Sequence, residues 1–199
     1  GAVFMKSEEV LDLPEQIFST VNVETTKEYK KFLRNRIITI EDEELIGDTI
    51  LTKLLYSRML CGSYNSYKLD AFKDLVDSTN DRLIVFYNFN KELEKLINLV
   101  DRPVSIINGQ LKDLSNYNEF TNSITFVHYQ AGAMGLNLQK ANKIIYFTLP
   151  LSSELFEQSK KRIHRIGQQR TCWYYYLICK DSVEEDVLET LEMRRDYTD

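Results

Sequence analysis

Apolar residues in the second half of the chain come in short continuous runs, separated by stretches with helical periodicity. The runs predict strands over residues 83–87, 104–107, 124–128, 143–147 and 172–178. Continuous apolar runs of this length are typical of strands that are buried on both faces of a parallel sheet. The intervening spacing predicts helices over residues 67–77, 91–100, 111–120 and 183–194. This alternation predicts an α/β fold, with a mainly parallel sheet covered by helices on both faces.

The first sixty residues continue the pattern less regularly. Alternating residues predict a strand over 17–23, and apolar stripes predict helices over 27–36 and 42–60. No linker rich in proline, glycine or serine divides the chain, so we expect one structural domain.

The segment 158–168 carries the most distinctive chemistry. If it is a helix that ends at Gly167, then Gln158, Arg162 and Arg165 lie on one face. Guanidinium groups offer a planar fork of donors that matches phosphate oxygens. The alternative is a solvated basic helix face, which would be the preferred interpretation for two isolated arginines.

Loops beyond the carboxyl ends of parallel strands are the usual place for functional groups in open α/β sheets. The loop over residues 129–137 is rich in small residues, which let backbone N–H groups approach a ligand, and Asn137 adds an amide. Asn108, Gly109 and Gln110 form a second candidate loop. The alternatives are a plain strand-to-helix connection for the first loop and an ordinary turn with glycine at positive φ for the second.

Two of these segments resemble motifs of a known family. Residues 158–165 are similar to Gln-x-x-Gly-Arg-x-x-Arg, the last motif of superfamily 2 helicases, with Lys161 in the glycine position. Residues 162–168 reproduce its longer form, Arg-x-His-Arg-x-Gly-Gln, which resembles the Swi/Snf-type DNA translocases. Residues 132–138 resemble the preceding motif of that family.

The resemblance implies the C-terminal lobe of a two-lobe motor, with a RecA-like three-layer fold. Residues 67–199 would be this lobe, and residues 1–66 would form an N-terminal strand and helices that pack on it. The implied arginine finger is Arg165, while Arg162 holds the γ-phosphate and Gln158 orients this face or contacts the nucleotide. Gly135 and Asn137 would also border the nucleotide. ATP and Mg²⁺ would be held mainly by a separate first lobe.

The implied partners are that N-terminal RecA-like lobe and double-stranded DNA, with no membrane. The implied DNA-backbone contacts are Asn108, Gly109, Gln110, Tyr129, Gln130, Ala131 and Gly132. The sequence departs from the family where Tyr129-Gln130 replaces a Ser/Thr-Lys pair and Ala133 replaces a glycine. Residues 148–152 also replace an Asp-Pro-x-Trp-Asn motif, so the departures concern DNA contact more than the nucleotide.

The composition limits the function further. The 199 residues contain no phosphate-binding loop of the Gly-x-x-x-x-Gly-Lys-Ser/Thr type, so we expect half of a motor, inactive as an ATPase when isolated. The net charge of −5 argues weakly against nucleic acid, but the charge is segregated, with a basic cluster over residues 160–170. His128 and His164 are too few and too far apart to predict a metal site.

Other readings remain open. A catalytically inactive module that binds nucleic acid or protein is one alternative, and the lobe of an RNA helicase is another. Three scattered cysteines indicate buried thiols, and the sequence contains no apparent signal peptide or membrane span. We therefore expect a cytoplasmic protein, associated with the nucleoid if its source is bacterial or phage.

Overall fold

The computed structural model describes residues 12–132 and 135–198. In chain order, the elements are β1 (Gln16–Val23), α1 (Lys27–Asn35), β2 (Ile37–Ile40), β3 (Glu43–Ile46), α2 (Ile50–Cys61), α3 (Ser66–Asp77), β4 (Leu83–Tyr87), α4 (Asn90–Asn98), β5 (Val104–Ile107), β6 (Lys112–Asp113), α5 (Ser115–Glu119), β7 (Ile124–His128), α6 (Tyr129–Gly132), β8 (Lys143–Tyr146), α7 (Ser153–Lys160), β9 (Cys172–Cys179) and α8 (Val183–Glu192).

Seven of the strands form one sheet in the order β1-β9-β8-β4-β7-β5-β6. All neighbouring pairs are parallel except β5 and β6, which are antiparallel. The α/β fold with a mainly parallel sheet is therefore confirmed.

The central strand β4 explains why a continuous apolar run was a reliable signal. Ile84 and Phe86 belong to the hydrophobic core on one face of the sheet, whereas Val85 and Tyr87 belong to the core on the other. Successive side chains of a strand point to opposite faces, so helices on both sides require apolar residues at every position.

The prediction of a helix over residues 42–60 was wrong over residues 42–49. Strands β2 and β3 form an antiparallel hairpin there, and its turn residues Glu41 and Asp42 have φ values of 49° and 66°. A turn of this kind normally carries asparagine or glycine, so the usual sequence signal is missing. The helix α2 begins only after Thr49, whose hydroxyl accepts a hydrogen bond from the backbone N–H of Thr52.

A smaller correction applies to residues 111–120, for which the spacing predicted a single helix. The chain first forms the two-residue strand β6 and only then the helix α5. Within the described residues, no helix is long and apolar enough to cross a membrane.

Candidate functional site

The arginine-bearing segment does not form the long helix that its spacing predicted. Helix α7 ends at Lys160, and the next residues form turns. The backbone N–H groups of Lys161 and Arg162 donate three residues back, to Gln158 and Ser159, at 3.1 and 3.3 Å. The expected stacking of Gln158, Arg162 and Arg165 on one helical face is therefore wrong.

The two arginines meet by a different route. The Nη1 atoms of Arg162 and Arg165 each donate a hydrogen bond of 3.2 Å to the same acceptor, the backbone carbonyl of Leu136. In addition, the backbone N–H of Leu138 donates to the carbonyl of Arg162 at 2.8 Å. The segment 135–138 and the arginine turn thus form one unit, although more than twenty residues separate them in sequence.

The electrostatics of this pair are unusual. The side chain of Arg162 is buried, with 7% of the residue exposed, and its Nε has no hydrogen-bond partner. Burial, followed by the charge of Arg165, lowers the pKa of Arg162 below its ordinary value. Neither guanidinium forms an ion pair with a carboxylate in the described part of the chain. Two cations therefore share one neutral acceptor.

Gln158 stands apart from the arginines in this structure. Its Nε2 donates to Glu154 Oε1 at 3.1 Å, one helical turn earlier, and its Oε1 is buried without a partner. Its predicted role in orienting the arginine face stays a prediction.

The buried amide of Gln168 fixes the arginine turn, a role that the sequence pattern did not indicate. Its Nε2 lies within 2.9–3.2 Å of the carbonyl oxygens of Gln139, Ala141 and Ile163. Gly167 precedes it with φ at 101°, and an added Cβ there would lie 2.9 Å from Gln139 Nε2. The Gly-Gln end of the motif therefore has a packing role that links the turn to the segment after Leu138.

The predicted DNA contacts over residues 129–132 divide into exposed and buried positions. Tyr129 is 3% exposed, its hydroxyl donates to the Thr148 carbonyl at 2.6 Å, and its ring stacks on Phe86. Ala131 is also buried. Direct side-chain contacts from Tyr129 and Ala131 to DNA do not fit these positions, whereas Gln130 is exposed.

The remaining residues of this loop run from Gly132 to Asn137. Gly132 ends α6, and Ala133, which stands where the family has a glycine, lies outside the described residues. Gly135 is exposed with φ at 75°, a conformation that favours glycine. Asn137 Oδ1 accepts a hydrogen bond from the backbone N–H of Gln139 at 3.1 Å, so part of its amide shapes the local turn.

The second predicted phosphate loop is a compact turn after β5. Asn108 Oδ1 accepts from the backbone N–H groups of Gln110 and Leu111, at 2.9 and 2.8 Å. Gly109 is exposed, has open space around its Cα, and does not have the positive φ that the ordinary-turn interpretation assumed. The side chain of Asn108 therefore holds the turn, and Gly109 and Gln110 form its exposed tip.

A buried carboxylate that the sequence pattern did not single out joins two neighbouring loops at the same edge of the sheet. Glu92 Oε1 accepts from the backbone N–H groups of Asn88 and Phe89 and from Thr148 Oγ1, at 2.8–3.1 Å. Burial raises the pKa of Glu92 above its ordinary value, despite these donors. The network fixes the loops after β4 and β8 relative to each other.

One buried cluster has metal-ligand chemistry. The ligand atoms of Cys61, Cys179 and Glu184 lie within 4.8 Å of one another. The ammonium of Lys68 lies 2.6 and 2.7 Å from the two carboxylate oxygens of Glu184, and burial raises the pKa of Cys61 well above its ordinary value. Because Lys68 already neutralises the carboxylate and the Cys61 thiol stays protonated, we interpret this cluster as a structural ion pair.

Comparison with known proteins identifies the family of the chain. Residues 67–167 match the family model described as the helicase conserved C-terminal domain. The chain is 26% identical over 216 residues to an uncharacterised ATP-dependent helicase of Mycoplasma pneumoniae, covering 92% of this chain and 20% of the relative. It is 29% identical over 168 residues to the ATP-dependent helicase fft1 of Schizosaccharomyces pombe, covering 74% of this chain and 18% of the relative.

Two matches of lower sequence identity are also to ATPases. The human chromatin-remodeling ATPase INO80 is 22% identical over 147 residues, or 66% of this chain and 9% of that protein. The solved C-terminal part of the Fun30 ATPase domain superposes with a TM-score of 0.69 and 18% identity, covering 94% of this chain and 91% of that one. The chain spans about a fifth or less of the length of these curated relatives. It belongs to the helicase conserved C-terminal domain family and is a RecA-like C-terminal lobe of the Swi/Snf-type ATP-dependent helicases.

Proposed function

We propose that this chain is the second motor lobe of an ATP-dependent DNA translocase, and that Arg162 and Arg165 act on a triphosphate held by the first lobe. The observation that carries the proposal is the convergence of both guanidiniums on the Leu136 carbonyl without a carboxylate partner. Like charges held together in a partly buried place are costly unless an anion completes the arrangement. A γ-phosphate supplies that anion.

In this proposal, the arginines exchange a neutral acceptor for a charged one when the lobes close. An ionised phosphate attracts a guanidinium more strongly than a neutral carbonyl does, and its oxygens can accept a bidentate pair of hydrogen bonds. Arg165 then stabilises the charge that develops on the transferring phosphoryl group, and Arg162 holds the γ-phosphate. The nucleotide and Mg²⁺, which polarises the phosphates, would be bound mainly by the first lobe.

We propose that the loop containing Leu136 connects the arginine pair to the residues that contact DNA. The Leu136 carbonyl binds both arginines, and the same loop leads back to Gln130 and Gly132, which we propose contact the DNA backbone together with the tip formed by Gly109 and Gln110. When the arginines leave this carbonyl for a phosphate, the loop loses two hydrogen bonds and is freer to move. Alternating closure of the lobes would then shift the grip on one strand of duplex DNA.

The test is made in the full-length protein that contains this lobe. Arg165→Ala should lower the kcat of DNA-stimulated ATP hydrolysis by about 10³-fold, because an arginine finger contributes 10³–10⁵ to kcat. The Kd for ATP should change by less than about 3-fold, since the first lobe holds most of the nucleotide.

The matched control is Arg170→Ala, which removes an exposed arginine whose Nη2 donates to the Lys140 carbonyl. It should leave kcat within about 2-fold of the unaltered protein. Normal turnover in Arg165→Ala would contradict the assignment. Vigorous ATP hydrolysis by the purified 199-residue chain, with the same arginine dependence, would contradict its interpretation as half of a motor.

A further inference from the structure

Helix α1 presents a stripe of four cations to solvent. Lys27, Lys30, Lys31 and Arg34 are exposed and occur at offsets of three, four and seven residues, which places them within about 100° of the helix circumference. The buried side chains Tyr29 and Phe32 lie on the opposite face. We call these four residues the α1 stripe.

The α1 stripe is electrostatically unfavourable in the protein alone. Its members form four like-charge i,i+3 or i,i+4 pairs, which destabilise a helix, and the one opposite-charge pair, Glu28 with Lys31, offsets only part of this repulsion. Lys27 also lies in the first turn, where the helix dipole favours an anion. None of the four cations forms an ion pair with any residue in the ranges 12–132 and 135–198.

The stripe differs from an ordinary solvated face, which mixes both signs of charge. The chain as a whole carries a net charge of −5, yet α1 contains five basic or acidic side chains of which only Glu28 is acidic. A ligand with closely spaced negative charges would attract all four cations and offset the repulsion between them. The arrangement therefore favours a polyanion.

The chemistry of the stripe narrows the class of polyanion. A helix that lies on a membrane inserts its apolar face, but the apolar face of α1 is packed in the protein core through Phe32 and Tyr29. Leu33, which is 37% exposed, borders the stripe, but the stripe itself presents only cations and no apolar anchor of the kind that dominates protein–protein interfaces. A row of cations about 10 Å long, at the helical rise of 1.5 Å per residue, fits the regularly repeated phosphates of a nucleic acid.

We propose that the α1 stripe binds the phosphate backbone of duplex DNA at a place separate from the phosphate loops. Helix α1 follows the carboxyl end of β1, and the Asn108 turn follows the carboxyl end of β5, so both lie at the same edge of the sheet. The sheet order separates β1 from β5 by five strand spacings, or about 24 Å. The proposal rests on the proposed function only in the choice of DNA as the polyanion.

The experiment measures binding of the 199-residue chain to a fluorescent 20-base-pair duplex by anisotropy, between 50 and 200 mM salt. The variant Lys30→Gln, Lys31→Gln, Arg34→Gln removes three charges of the stripe. Because each phosphate contact adds about −0.9 to the slope of log K against log salt, the slope should become shallower by about 2.7. The loss of affinity over this salt range should accordingly be about 40-fold smaller than for the unaltered chain.

The matched control neutralises three exposed cations elsewhere, through Arg170→Gln, Arg194→Gln and Arg195→Gln. The slope of log K against log salt for this control should stay within about 0.5 of the slope for the unaltered chain. Without DNA, the stripe variant should keep its Tm within about 3 °C of the unaltered chain, because the loss of like-charge pairs is balanced by the loss of the Glu28–Lys31 pair and of the Arg34 cation in the last helical turn. If the slope of log K against log salt becomes shallower while the Tm is retained, the change therefore cannot be attributed to unfolding.

Several outcomes would overturn the inference. These are an unchanged slope in the stripe variant, an equal change in the control, or no detectable duplex binding by the unaltered chain. Stripe-dependent binding of polyglutamate without binding of duplex would assign the surface to an acidic protein instead. Failure of the arginine proposal is distinguishable, because Arg165→Ala in the full-length protein changes kcat, whereas the stripe variant changes the salt slope.

Discussion

The arginine pair and the α1 stripe are both groups of cations without acidic partners, but the chain holds them in opposite ways. Arg162 and Arg165 are anchored to one backbone carbonyl, and the turn that carries them is fixed by the buried amide of Gln168. The side chains of the α1 stripe extend from an exposed helix face and make no hydrogen bonds with the described residues. The arginine pair is held in one arrangement, whereas the side chains of the α1 stripe can adopt several rotamers.

This difference indicates two uses of positive charge. Once the lobes have closed, guanidiniums held together by one turn can stabilise charge that develops at one position. Lysines on a helix surface act as point charges that adapt to a phosphate backbone without reading its sequence. The comparison therefore predicts that the pair is sensitive to shape, whereas the stripe is sensitive only to charge.

The largest expected effect comes from replacing Arg165 by lysine, and the same replacement at Arg34 should have almost none. In the full-length protein, Arg165→Lys should lower kcat by about 10²–10³-fold, because an ammonium cannot reproduce the planar fork. Arg34→Lys should change the Kd for a duplex by less than about 2-fold, because the charge is retained. Steady-state ATPase assays and anisotropy measure the two effects.

Two results would break this contrast. If Arg165→Lys retained nearly normal turnover, the pair would act through charge alone. If Arg34→Lys weakened DNA binding as strongly as removal of the charge, the stripe would depend on guanidinium geometry.

The second prediction concerns the support of the arginine pair. Gln168→Ala removes the amide donor that the carbonyl groups of Gln139, Ala141 and Ile163 share, so the free energy of unfolding should fall by about 1–3 kcal/mol. Urea denaturation of the 199-residue chain measures this loss. Gln169→Ala is the control, since Gln169 is exposed, and it should stay within about 0.5 kcal/mol. Equal stability of both variants would show that the turn does not depend on the Gln168 amide.

The smallest effect concerns the electrostatic cost of the α1 stripe. Lys27→Glu places an anion in the first turn and removes like-charge pairs, so the free chain should gain about 0.5–1 kcal/mol of stability at low salt. The gain should largely disappear near 1 M salt, where the Debye length is about 3 Å. A gain that did not depend on salt, or a loss of stability, would contradict the electrostatic explanation.

The sequence predicted the central sheet well because its signal is redundant. Each buried strand, such as Leu83–Tyr87 or Ile124–His128, has apolar residues on both faces, and its short length favours a strand over a buried helix. The hairpin before α2 was missed because Glu41 and Asp42 adopt positive φ values without the residues that normally signal such a turn.

The sequence drew attention to the two arginines but did not predict how they meet. Helical spacing placed Arg162 and Arg165 on one face, whereas the helix ends at Lys160 and the arginines meet at the Leu136 carbonyl. Periodicity describes only local structure, and this contact depends on a loop more than twenty residues away. The burial of Tyr129 was missed for the same reason, because the acceptor of its hydroxyl lies on another strand-end loop.

The central claim is that the arginine pair faces the triphosphate of a partner lobe, and a structure of the full-length protein tests it most directly. The protein would be bound to duplex DNA and to ADP with aluminium fluoride, which imitates the transferring phosphoryl group. The account predicts that Arg162 and Arg165 leave the Leu136 carbonyl and lie about 2.7–2.9 Å from the fluoride atoms. Closed lobes in which both guanidiniums still bind Leu136, with no contact to the fluoride, would contradict it.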